Sequence, residues 1–157
     1  MIDLTKVVPV ASMQGDDEED TRLLDGMYRE AYDYISSQAW VVRVRNSYFG
    51  LGVGGVVAVF LIEVEPSDED IDEYHWIIVG DLPPAYIATY DAPNPASALD
   101  AYIGAMQEWV DAAKEGQPVD DLIPVNVEPT KENAEMLSQR LEFIDSQILP
   151  DYKADLE

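Results

Sequence analysis

The chain has no cysteine and a single histidine, and from Asn46 to Ala113 it carries neither lysine nor arginine. Each shortage excludes a class of chemistry. Without cysteine there are no disulfides, no thiolate zinc sites and no cysteine nucleophile. One imidazole cannot build a histidine-rich metal centre, and no G-x-S-x-G elbow is available to present a serine nucleophile. Long apolar runs are also scarce. The longest, Leu51 to Ile62, spans 12 residues with three glycines, well short of the ~20 a membrane-spanning helix needs, so it is expected to be a buried strand. Met1-Ile2-Asp3-Leu4-Thr5-Lys6 lacks a basic start followed by an apolar stretch, which gives no sign of secretion and leaves the cytoplasm as the expected compartment.

What the sequence does contain is acid. Its 157 residues hold 32 Asp and Glu against 9 Lys and Arg, for a formal net charge of −23. Such a balance with low hydrophobicity would indicate disorder. Here three Trp, nine Tyr, three Phe and several Val/Ile/Leu runs supply enough apolar area to offset chain entropy. The length suits one domain. Between Asn46 and Ala113 lie twelve acids and no base. A surface built from them repels phosphate, because nucleic-acid affinity comes largely from Lys and Arg displacing counterions. Nucleic acids and anionic membranes are therefore not expected as partners. A basic protein is the partner such a field attracts, and the same charge favours a soluble monomer.

The order of helical and strand patterns along the chain predicts an α+β fold. Residues 1–20, ending in Gly15-Asp16-Asp17-Glu18-Glu19-Asp20, read as a mobile acidic arm whose Val7–Val10 could add an edge strand. A single domain over 21–150 follows. Asp20 or Thr21 is expected to cap a helix over 21–37, with Leu24, Met27, Tyr28, Ala31, Tyr34 and Ile35 at helical spacing. Strands are expected at 40–50, 56–65, 74–80 and 85–90, forming a four-stranded antiparallel meander covered on one face by helices. The first two make a hairpin about Gly54. That register sets Arg45 opposite Glu63, Arg43 opposite Glu65 and Val44 opposite Val64. It also puts Trp40, Val42, Val44, Phe60, Ile62 and Val64 on one buried face beneath the second and third helices. Asn94-Pro95 and Gly116 bracket a helix over 95–115, and Thr130 and Pro150 one over 130–148. The 117–129 connection holds three prolines and has room for one extended piece at Leu122–Val127. Residues 151–157 read as a tail, with Leu156-Glu157 as a remnant of cloning.

Two motifs resemble known sites and fail on context. Gly50-Leu51-Gly52-Val53-Gly54-Gly55 matches G-x-G-x-x-G, yet a strand follows where a dinucleotide site needs a helix, and the lysine of a kinase loop is missing. Asp68, Asp70 and Asp72 have the spacing of the first EF-hand ligands, but Glu73 stands at the required glycine and Val79 at the bidentate glutamate. His75 on its strand could pair with Glu63 or Glu65 of the neighbouring strand as an acid–base couple. Gly80-Asp81-Leu82-Pro83-Pro84 is a rigid turn suited to recognition. No cofactor and no metal are expected.

The segments Gly54–Pro66 and Trp76–Tyr86 resemble those of small, acidic bacterial proteins of a family of unknown function. The resemblance implies no activity and no catalytic residue. By composition and architecture the chain is also similar to immunity proteins that neutralise bacterial toxins. Two functional readings follow. In the first the protein is a non-enzymatic binder of a basic partner, with Asp68, Glu69, Asp70, Asp72, Glu73 and Asp81 as contact candidates. In the second it is a small enzyme or ligand binder with a pocket near His75 and neighbouring carboxylates.

Overall fold

A computed structural model describes residues 3–156; Met1, Ile2 and Glu157, which belong to the expected arm and tail, lie outside the described residues. The elements run β1 (Val8–Pro9), α1 (Glu18–Ser36), β2 (Val41–Val53), β3 (Val57–Pro66), β4 (Tyr74–Gly80), β5 (Ala85–Ala88), α2 (Pro95–Glu115) and α3 (Lys131–Gln147). Short 3-10 segments occupy Val10–Ser12 and Leu149–Leu156. The fold is α+β, and the five strands form one antiparallel sheet in sequential order. The expected meander is thus present, extended by β1, which pairs Val8 with Phe49 and Pro9 with Tyr48.

The acidic run expected as an arm is instead the start of α1. Asp17 is the N-cap, its carboxylate accepting from Asp20 N–H at 2.8 Å, and Glu18, Glu19 and Asp20 occupy the first turn. Carboxylates there are stabilised by the unpaired amides and the positive end of the helix dipole. Asp20 therefore does not cap the helix, as the sequence led us to expect. Its carboxylate turns outward to accept from Gly54 N–H at 2.7 Å and Asp16 N–H at 2.9 Å.

Helices cover both faces of the sheet, not one. β3 is apolar along nearly its whole length, and its side chains alternate between two cores. Phe60, Ile62 and Val64 pack with Ile77 and Val79 under Leu24, Met27, Ala31 and Ile35 of α1. Val57, Val59 and Leu61 pack with Trp76 and Ile78 under α2, through Leu99, Tyr102, Met106 and Val110. The face containing Phe60 is thus covered by α1 and not by the second and third helices. α3 lies mainly against α2 and the C-terminal 3-10 segment, adding Leu137, Leu141 and Ile144 to the second core. Caps follow expectation for the later helices: Asn94 accepts from Ser97 N–H with Pro95 at the first turn, Gly116 closes α2 at φ 70°, and Thr130 caps α3.

The hairpin register is half as expected. Val44 faces Val64 and Arg43 faces Glu65, but Asn46, not Arg45, faces Glu63. β2 has 13 residues and β3 only 10, and the excess is taken up by irregularities that leave Val42, Arg45 and Gly50 without opposite numbers. A bulged residue leaves the period-2 pattern. Val42 accordingly stands 59% exposed and not in the core. Gly50 serves a close approach: a Cβ there would lie 2.7 Å from the Pro95 ring at the start of α2. Among the described residues no helix is long and apolar enough to cross a membrane.

Candidate binding site

One end of the sheet gathers most of the expected contact residues. There the Ser67–Glu73 loop enters β4, and the Thr89–Pro93 turn leaves β5. The loop is a tight turn held by its own first acid: Asp68 Oδ1 accepts from Asp70 N–H at 2.9 Å, and Asp68 O from Ile71 N–H at 3.1 Å. With its backbone so engaged, the loop leaves Asp68, Glu69, Asp70, Asp72 and Glu73 exposed. The facing turn is fixed from beneath, where the buried Trp76 indole donates to Ala92 O at 2.8 Å. Between loop and turn lies a cleft of about 540 Å³ lined by Asp3, Asp72, Glu73, Tyr74, Thr89, Tyr90 and Pro93. Tyr90 is 80% exposed, the largest exposure among the exposed large hydrophobic side chains. Burial, then the carboxylates of Glu63 and Glu73, hold the Tyr74 phenol protonated above its ordinary range.

The charge of this end is barely compensated. Among the described residues, Glu73 lies 3.8 Å from Arg45, while Asp68, Glu69, Asp70 and Asp72 enter no ion pair. Asp81 does not join the group. It sits at the other end of β4, hydrogen-bonded by Arg140 Nε of α3 at 3.2 Å. Sequence reasoning missed Asp3 and Tyr90; the available signal for the latter was an aromatic side chain stranded in the polar turn Thr89-Tyr90-Asp91-Ala92-Pro93.

The structure does not form the acid–base couple expected of His75. Its cross-strand partner is Ile62, and that of Glu63 is Tyr74, so the imidazole and both glutamates leave opposite faces of the sheet. Glu63 accepts from Asn46 Nδ2 at 2.7 Å, and Glu65 binds Arg45 and Arg43 at 3.2 and 3.3 Å. His75 is 7% exposed, with ring centroids of Trp40 and Tyr86 at 4.8 and 5.9 Å. Its Nε2 lies 2.8 Å from Asp72 O, a bond that needs Nε2 protonated, and Nδ1 is buried with no hydrogen-bond partner among the described residues. Burial lowers the imidazole pKa below its ordinary value, only partly opposed by the Asp72 carbonyl and carboxylate. The ring is therefore neutral near pH 7, and its structural work is to tie the acidic loop to the sheet. Among the described residues no three His, Asp or Glu side chains converge on a point that could hold a metal. Comparison of the chain with protein families, with curated proteins and with solved structures returns no match in any of the three.

Proposed function

We propose that the protein is a non-enzymatic binder of a basic protein, engaging it through the acidic and aromatic end of the sheet in the manner of an immunity or inhibitor protein. The observation that carries this reading is the cleft itself: an almost fully exposed Tyr90 beside Asp3, Asp72 and Glu73, next to loop acids without cationic partners. A guanidinium or ammonium group entering it meets carboxylates and tyrosine rings in one cleft, which adds cation–π attraction to charge pairing. The net charge of −23 raises the encounter rate of a cationic partner from a distance. A catalytic pocket at His75 has less support, because its ring is buried and its nearest glutamates leave the other face.

The test is capture from a lysate of the source cells at low and at physiological salt, run in parallel with two variants: Asp68→Asn/Asp70→Asn/Asp72→Asn and Tyr90→Ala. A basic partner retained by the wild type, weakened by salt and lost by both variants supports the proposal. Capture that is indifferent to salt and to both variants refutes it.

A further inference from the structure

β5 is the last strand of the sheet. In an antiparallel pair, successive residues direct their N–H and C=O groups alternately toward the neighbour and away from it. Two of the four residues from Ala85 to Ala88 therefore point their backbone groups away from β4. Among the described residues, none of these N–H groups donates to backbone outside the sheet, and the one bond leaving the strand is at its end, where Ala88 O accepts from Asp91 N–H. The segment Val119–Val127 passes this edge without bonding to it; its own backbone bond is internal, from Leu122 N–H to Val119 O at 3.1 Å. Between them lies a slit of about 600 Å³, whose lining includes Tyr34, Gln38, Tyr86, Trp109, Ile123 and Val125.

The other edge of the sheet is protected in the usual ways. β1 ends in Pro9, and β2, where it extends beyond its pairing with β1, is bulged and carries Arg43 and Arg45. The β5 edge, Ala85-Tyr86-Ile87-Ala88, has no proline, no charge and no bulge. It also leads into the acidic cleft, since Pro84 and Tyr86 line the slit while Thr89 and Tyr90 line the cleft.

We propose that the β5 edge is a strand-addition site for an extended segment of the basic partner, with its lysines or arginines reaching Asp120 in the slit and the carboxylates of the cleft. This deepens the function proposed above and rests on it for the sign of the partner's charge. Complementarity selects the occupant. Among the described residues Asp120 is the only charged one lining the slit, and no Lys or Arg occurs in the sequence from Asn46 to Ala113 or from Glu115 to Thr130. A second copy of the chain, itself at −23, is repelled. Backbone bonds would supply the affinity and the alternate side chains the selectivity.

The experiment uses the full chain, isotopically labelled for amide NMR, titrated with three blocked synthetic peptides: an alternating Lys–Val peptide, the same peptide N-methylated on one backbone edge, and its Glu–Val counterpart. The proposal expects the Lys–Val peptide to shift two alternate β5 amides and slow their hydrogen exchange. N-methylation should weaken binding on the order of tenfold, as the loss of two net hydrogen bonds would. The Glu–Val peptide should leave β5 untouched. Shifts confined to Asp72 and Tyr90 with β5 unmoved would overturn strand addition and leave the electrostatic function standing. Equal protection of β5 by the Glu–Val peptide would overturn the cationic occupant. No response to any peptide, or dimerisation of the chain alone through β5 in sedimentation, would overturn the proposal.

Discussion

His75 shows how a residue singled out for chemistry can serve structure. The strand pattern places it on the face it shares with Ile77 and Val79, and that placement is correct. Alternation alone does not exclude the pairing with Glu63 or Glu65; the register does, because the partner directly opposite His75 is Ile62. Its environment carries a pH signature of definite sign. The folded-state pKa lies below the unfolded value, so in the window between them the unfolded chain binds more protons than the folded one. Stability from this group is therefore fully present above the unfolded value of about 6.5 and is lost as pH falls toward the folded value. The difference between wild type and His75→Phe isolates the imidazole: denaturant midpoints measured from pH 8 down to 5 should converge as the wild type loses its advantage. A constant difference across that range would show that the ring is as protonated in the native state as in the unfolded chain.

The elements are more legible than the way they meet. Caps at Asn94, Thr130 and Gly116 are local signals of a few residues, and they mark α2 and α3 to within a residue or two. Bulges are not local in this sense. Nothing in the Trp40–Asn46 alternation announces that Val42 and Arg45 lack opposite numbers; that follows only from β2 having to span the shorter β3 while twisting. The burial of both faces is readable, because an unbroken apolar run such as Val57–Ile62 suits a strand with two cores. The role of Asp20 is not readable in this way, because it depends on a glycine 34 residues away. Its carboxylate joins α1 to the β2–β3 turn, accepting from Gly54 N–H at 2.7 Å. Asp20→Ala should cost about 1–2 kcal/mol by leaving that amide and Asp16 N–H without their acceptor, and Asp17→Ala about 1 kcal/mol through the lost cap. Urea titrations of the two single variants and the double variant decide this, and a loss at Asp20 no larger than that of an exposed alanine substitution would count against the link. The acidic cleft is half legible, since Asp72 and Glu73 belong to a contiguous acidic run while Tyr90 and Asp3 arrive there only through the sheet's connectivity.

At the scale of the whole molecule, repulsion among its own carboxylates governs the electrostatics. Six of the nine bases are in ion pairs among the described residues, all solvent-exposed to some degree, so these pairs stabilise the fold little against the repulsion left by a net charge of −23. Added salt should stabilise this protein. The Debye length shortens from about 30 Å at ~0.01 M to about 8 Å at ~0.15 M, and thermal melts across that range should shift upward. The Asp68→Asn/Asp70→Asn/Asp72→Asn variant should melt at or above the wild type with a shallower salt response; a lower melting point would mean that the loop acids hold the fold together. The contact between the two ends of the described chain has a different consequence. Lys6 Nζ lies 2.9 Å from Asp155 Oδ1, and Asp155 O accepts from Asn94 Nδ2 at 2.8 Å, so both terminal segments meet at the start of α2. Every strand pairs with a sequence neighbour, and the Gln117–Pro118 stretch after α2 is exposed with no strand to interrupt. The sequence order of this fold is therefore separable from its shape. A circular permutant joined by a short glycine–serine linker across Lys6 and Asp155 and opened at Gln117 should fold to the same sheet, with near-ultraviolet circular dichroism as the check on its aromatic packing.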